Sequence, residues 1–208
     1  MTITADMVKQ LREETGAAIL DCKKALEEYK GDFDKAKALL AEKGLATAKK
    51  KAGRAAREGV IEVYQHPGGR VGVMLELNCE TDFVAKTPKF QELAHDLALH
   101  IAFSNPQYVD LQDIPADVMD AQKQAFYQEA KASGKPDNVI EKIVEGRLNK
   151  HFSDICLVKQ PFVKNDEVTI GDLLNQAIAD LKENIRVSRF ARYELGGSGA
   201  DDEGGGEE

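Results

Sequence analysis

Three cysteines, Cys22, Cys79 and Cys156, supply the thiols of this 208-residue chain. They are odd in number, far apart and without CxxC spacing, which predicts reduced thiols in a cytosol rather than a disulfide framework or a zinc site. Four histidines accompany them. His95 and His100 stand off a shared face of one predicted helix, so no two-histidine metal site is expected, and each reads as a polar helix residue. Gly68-Gly69 is too short to cradle phosphate, and no G-x-x-x-x-G-K-[ST] segment occurs. The carboxylates are scattered along helix faces, where solvated charge is the default. With no nucleophile beside a base, no metal cluster and no phosphate loop, the expectation is a chain that is not an enzyme and carries no metal or cofactor.

One stretch stands out. Asn78-Cys79-Glu80-Thr81-Asp82-Phe83-Val84-Ala85-Lys86 leaves a predicted buried strand on a connecting loop. An aromatic beside a Thr-Asp pair, at the end of a rigid strand, can be aimed accurately at a partner. Asp82 can instead cap a helical turn with Phe83 folded back into the core, and the residues by themselves favour that arrangement.

The elements around this stretch predict an α+β fold. Thr4 caps a first helix through Met7, Val8 and Leu11, and Thr15-Gly16 ends it. A second helix carries Ala18, Ile19, Cys22, Ala25, Leu26 and Tyr29 and stops at Gly31. Asp32 or Asp34 caps a third, with Phe33, Ala36, Leu39 and Leu40 inward and Gly44 as its stop. Residues 45–58 contain Lys49, Lys50, Lys51, Arg54 and Arg57 without interleaved aromatics, which reads as a helical or semi-ordered connector rather than a nucleic-acid arm. Val60–Tyr64 and the alternating Val71, Val73, Leu75 and Leu77 form a hairpin across His66–Arg70. Thr87-Pro88 starts a helix striped by Phe90, Leu93, Ala94, Leu97 and Ile101.

Residues 115–152 predict a partly projecting helical hairpin, broken at Gly134-Lys135-Pro136 and restarted by an Asp137 cap. Its stripes are Val118, Ala121 and Ala125 on one arm, and Val139, Ile143 and Leu148 on the other. Thr169 with Asp172 caps a further helix, and Ile185–Tyr193 is a last strand with a bulge. The divisions expected are residues 1–55 for the bundle and basic linker, 56–195 for the sheet-and-helix core, and 196–208 for a disordered acidic tail. The short sheet needs cover, and Ile155–Val163 and Ile185–Tyr193 are apolar enough to leave an exposed patch on a monomer.

Bulk properties narrow the partners. The net charge of -8 argues against a nucleic-acid backbone as partner. No apolar run approaches the ~20 residues of a membrane span. The opening MTITADMVKQLREE lacks the apolar core of a signal peptide, so a cytoplasmic location is expected.

Thr81-Asp82-Phe83-Val84-Ala85-Lys86 resembles a signature of bacterial elongation factor Ts. Leu11-Arg12-x-x-Thr15-Gly16-Ala17, Asp21–Leu26 and Lys49–Arg54 are similar to that family's N-terminal domain and linker. Ser133–Pro136, Val144–Arg147 and Gln160–Val163 resemble its C-terminal portion, so the likeness runs in order from residue 1 to about 195. The acidic glycine-rich tail matches nothing in it.

The resemblance implies a guanine-nucleotide exchange factor that releases GDP from elongation factor Tu. It implies an N-terminal bundle similar to a ubiquitin-associated fold, docked on the GTPase domain through Arg12, Ile19 and Leu20. It also implies that Thr81, Asp82, Phe83 and Val84 contact the partner, with Phe83 a wedge near the magnesium ion and phosphates. Longer members carry two related core subdomains; this short chain has one, which implies a homodimer. The competing expectation is a small helical-bundle module recruiting ubiquitin-like or nucleic-acid partners.

Overall fold

Local capping chemistry accounts for the first elements of the computed structural model, which describes residues 2–132 and 136–197. The Thr4 hydroxyl accepts the Met7 amide and starts α1 (Ala5–Thr15). Gly16 ends it at φ 65°, a left-handed conformation that glycine adopts without strain. α2 (Ile19–Glu28) and α3 (Phe33–Lys51) follow, with Asp32 capping α3 through the Lys35 amide. Leu11, Cys22, Ala25, Leu26 and Ala36 make a shared core for the three helices. The stop expected at Gly44 does not occur. Gly44 is buried facing Ala179, so its missing side chain serves helix packing, and α3 carries the first part of the basic stretch as regular helix.

β1 (Glu58–Gln65) and β2 (Val71–Cys79) form the hairpin read from the sequence. α4 (Asp82–Ala85) is a single turn, and α5 (Pro88–Ser104) begins behind its Thr87 cap with Pro88 at the first position. α6 (Ala116–Ala132) and α7 (Asp137–Ile155) are the two arms of the helical hairpin. Asp137 is the first helical residue of α7 rather than its cap, and the helix continues past Lys150 to Ile155. β3 (Pro161–Phe162) and β4 (Asn165–Thr169) make a small second ladder. α8 (Ile170–Leu181) opens with Thr169 and Asp172 in a reciprocal capping box. β5 (Arg186–Glu194) pairs antiparallel with β2, giving the order β1-β2-β5. The bulge falls in β5: Glu76 and Leu77 face Arg189 and Val187, leaving Ser188 extra between them.

One face of this sheet, with Val73, Leu75, Leu77 and Val187, packs on the buried stripe Phe90, Leu93, Ala94, Leu97 and Ile101 of α5. The other face holds Ile61, Val63, Met74 and Tyr193, all exposed. The apolar patch is therefore only partly where expected: Ala191 and Tyr193 of the 185–193 stretch lie in it, and the rest comes from β1 and β2. Cys156, Leu157, Phe162, Ile185 and Val187 are buried, because the 155–163 stretch folds under α5 and α8, leaving Lys159, Pro161 and Val163 exposed.

The stripe expected on α6 is rotated, while that on α7 holds for Ile143 and Leu148, which pack into the hairpin core, and fails for Val139. Val118, Ala121, Ala125 and Val139 are exposed, and Ala130, Ile140 and Val144 form the buried contact with Phe126, Tyr127 and Ile143 beside them. His100 is the polar helix residue expected, but fully buried in α5. The expected break at Gly134-Lys135 and residues 198–208 of the tail lie outside the described residues. No helix among the described residues is long and apolar enough to cross a membrane.

Candidate functional site

Past Cys79 the β1–β2 ladder ends, and the next two amides need other acceptors. The Glu80 and Thr81 amides both donate to Glu183 Oε2 at 3.0 Å. The Thr81 hydroxyl donates to Glu183 Oε1 at 2.6 Å and accepts from the Val84 amide at 3.4 Å, capping α4. Glu80 returns the contact: its carboxylate accepts the Asn184 amide at 2.6 Å and lies 3.5 Å from the Arg54 guanidinium. The Asn184 amide, and then the Arg54 charge, hold the Glu80 carboxyl below its ordinary pKa. On the far side of the turn, Gln91 Nε2 donates to the Ala85 carbonyl at 2.6 Å and the Thr87 hydroxyl to the Val84 carbonyl at 2.8 Å.

This bracing decides where Phe83 points. Ala85 faces the core and Val84 packs half-buried against it, while Phe83 is 81% exposed. The folded-back alternative for Phe83 is excluded. Asp82 lies at the start of the turn but does not cap it; Thr81 does, and Asp82 pairs with Lys86 at 2.6 Å, which lowers its pKa. The Cys79 thiol, pushed up to about 11 by burial, stays protonated at neutral pH and donates to the Thr81 carbonyl at 3.1 Å. It is a structural group, not a nucleophile.

Arg12, Ile19 and Leu20 are exposed at the end of α1 and the start of α2, with Ile19 at 55% and Leu20 at 69%. Gly16 lies between them, and a Cβ there would stand 3.6 Å from Asp180 Oδ2. Asp180 also pairs with Lys89 in the first turn of α5, directly after α4. Asp180 of α8 thus lies between the Gly16 turn that precedes α2 and the first turn of α5.

Sequence reasoning missed Glu80, Glu183, Asn184 and Arg54. It treated carboxylates as solvated, and Glu183 is about a hundred residues from the loop it holds, beyond the reach of any local spacing rule. Two of the basic residues are likewise engaged: Lys51 donates to the Lys182 carbonyl and Arg54 faces Glu80. Among the described residues no group of His, Cys, Asp or Glu is arranged to hold a metal ion.

The family model described as Elongation factor TS matches residues 5–197. The chain is 54% identical to elongation factor Ts of Carboxydothermus hydrogenoformans over 194 residues, covering 93% of this chain and 89% of that one. It is 53% identical to elongation factor Ts of Thermotoga petrophila over 196 residues, covering 94% and 98% of the two chains. With elongation factor Ts of Thermotoga neapolitana the identity is 52% over 199 residues, 96% of this chain and all of the relative. Matched at this level along nearly its whole length, the chain belongs to the elongation factor Ts family.

Proposed function

We propose that this chain is a guanine-nucleotide exchange factor for elongation factor Tu in translation elongation, acting in the cytoplasm without covalent chemistry. The observation that carries the reading is Phe83, a large apolar side chain held out in solvent on a braced turn; a second exposed apolar pair, Ile19 and Leu20, stands at the start of α2. An exposed aromatic on a one-turn helix adds nothing to this chain's own core, and its cost is recovered only when a partner covers it.

In this reading residues 1–55 dock on the GTPase domain through Arg12, Ile19 and Leu20. Residues 56–195 present Thr81, Asp82, Phe83 and Val84 to the region that holds magnesium and phosphate. Phe83 wedges between elements of the partner. Magnesium demands near-ideal octahedral geometry, so a small displacement of its ligands weakens it strongly. The diphosphate charge is then poorly compensated and GDP leaves. Because the coupling is reciprocal, GDP and the exchange factor weaken each other's binding by the same factor. An acceleration of ~10⁴-fold corresponds to about 5.5 kcal/mol of barrier.

A homodimer belongs to the same reading, since the outer face of the sheet carries exposed apolar residues that no other described residue covers. The test of the function is a chase of fluorescent GDP from elongation factor Tu. Substoichiometric amounts of this protein should raise the release rate with turnover; an unchanged rate at saturating protein would sink the proposal.

A further inference from the structure

Glu183 receives more hydrogen bonds from the Phe83 loop than any requirement of its own segment explains. α8 ends without it: Lys182 adopts φ 61° and its amide closes on the Ile178 carbonyl. The Glu183 carboxylate instead reaches across to the end of β2 and takes the Glu80 amide, the Thr81 amide and the Thr81 hydroxyl. Two successive amides on one oxygen fix the direction of the backbone as it leaves the sheet.

The hydroxyl matters most. A threonine hydroxyl has one hydrogen, and giving it to Glu183 leaves a lone pair to face the Val84 amide, which makes Thr81 the N-cap of α4. A helix of four residues cannot pay for its own nucleation. Successive residues on such a turn point about 100° apart. A turn that loosened or slipped by one residue would therefore carry Phe83 away from its outward direction and expose Ala85. The joint extends to the docking bundle: Asn184 Nδ2 donates to the Arg54 carbonyl at 2.7 Å, and Lys51 at the end of α3 donates to the Lys182 carbonyl.

We infer that Glu183 is the positioning residue for the exchange wedge: its carboxylate orients the Thr81 hydroxyl and the Glu80–Thr81 backbone so that α4 presents Phe83 to the partner. The inference rests on the exchange reading above. It assigns Glu183 no contact with the partner; it acts through Thr81 and the turn.

The test uses the full chain and its E183Q, F83A and double variants. Glutamine keeps the size but loses the charge and puts an amide donor among three donors. E183Q should lower the GDP-release rate at saturating exchange factor by about tenfold, or about 1.4 kcal/mol. The concentration for half-maximal effect should change by less than about twofold, because the α1–α2 surface is untouched; a general weakening of the protein would not produce that split. The double variant should release GDP at the rate of F83A alone, since a wedge that is absent cannot be mispositioned.

Amide hydrogen exchange reads the same joint without a partner. Glu80 and Thr81 should lose protection in E183Q while the amides of α5 keep theirs. A wild-type plateau rate for E183Q, losses that multiply in the double variant, or equal loss of protection across α5 would each overturn the inference. If the wild-type chain itself fails to accelerate release, the exchange reading falls instead, and amide exchange at Glu80 and Thr81 still decides whether Glu183 holds the turn.

Discussion

Phe83 and His100 illustrate how differently two unusual residues can be used. Phe83 contributes little to its own fold, since its ring is 81% exposed. Phe83→Ala should cost less than about 0.5 kcal/mol in a urea melt, as surface truncations do, against ~3–5 kcal/mol for a core phenylalanine. The same variant should slow GDP release at saturation by at least about tenfold. A severe loss of stability would return the residue to a structural role. His100 is the opposite case, a polar ring spent on the fold. Its Nδ1 accepts the Val163 amide at 3.2 Å, so the proton sits on Nε2 and is donated to Gln160 Oε1 at 3.0 Å. Burial lowers its pKa, because a charged ring there loses its water and presents a second N–H to the Val163 amide. The unfolded chain therefore binds the proton more readily than the folded one. The stability that depends on neutral His100 is fully present above the ordinary value near 6.5 and declines as pH falls below it toward the lowered folded value. Urea melts between pH 7.5 and 5 should show a steeper decline for the wild type than for His100→Gln. The difference in slope should not exceed the ~1.4 kcal/mol per pH unit of one proton, and parallel curves would show that His100 is not the group responsible.

At the scale of elements, what the sequence makes legible is what neighbouring residues decide. Thr4, Asp32, Thr87 and the Thr169–Asp172 pair start helices where their short-range hydrogen bonds say they should. The β1–β2 hairpin and the bulge in β5 follow from period-two alternation and its interruption. Gly44 was misleading because glycine serves two purposes, chain reversal and close packing, and only the position of α8 distinguishes them. The α6 stripe misleads, and the α7 stripe holds only at Ile143 and Leu148, because α6 and α7 meet through Phe126, Tyr127, Ile140 and Val144, a register set by their mutual rotation. Phe83 was legible as unusual but not as exposed, since its direction depends on a carboxylate from the other end of the core. Gly44 yields a prediction with a sign. A Cβ there would meet the Ala179 side chain at 3.9 Å, an ordinary contact. Gly44→Ala should therefore stabilise the protein by about 0.5–1 kcal/mol, through lower backbone entropy in mid-helix. Gly44→Leu should destabilise it by about 1–3 kcal/mol by forcing α3 off α8. Urea melts of the pair check this, and a destabilised alanine variant would mean that α3 and α8 approach more tightly than described.

The whole molecule presents a face that none of its described residues covers. On the outside of the three-stranded sheet the cross-strand row Val63, Met74 and Ala191 is exposed, with Ile61 and Tyr193 beside it. The helical hairpin does not cover this face; its apolar residues are spent on its own small cores. The polar end of the face carries the Glu76–Arg189 pair, so an apolar block lies next to an ionic one. Two such faces stacked about 10 Å apart would form a β-sandwich, with each apolar block meeting its copy across a two-fold axis. The association would leave Phe83 free, because α4 follows the end of β2 and its ring does not belong to this face. Light scattering at micromolar concentration should give a particle of twice the 22.8 kDa chain mass. Val63→Asp should reduce it to one chain while keeping the helical and strand signal, since Val63 points away from α5 and its burial in the single chain is slight. A wild-type particle of one chain mass would rule the dimer out, and an undiminished dimer in Val63→Asp would move the interface to another surface.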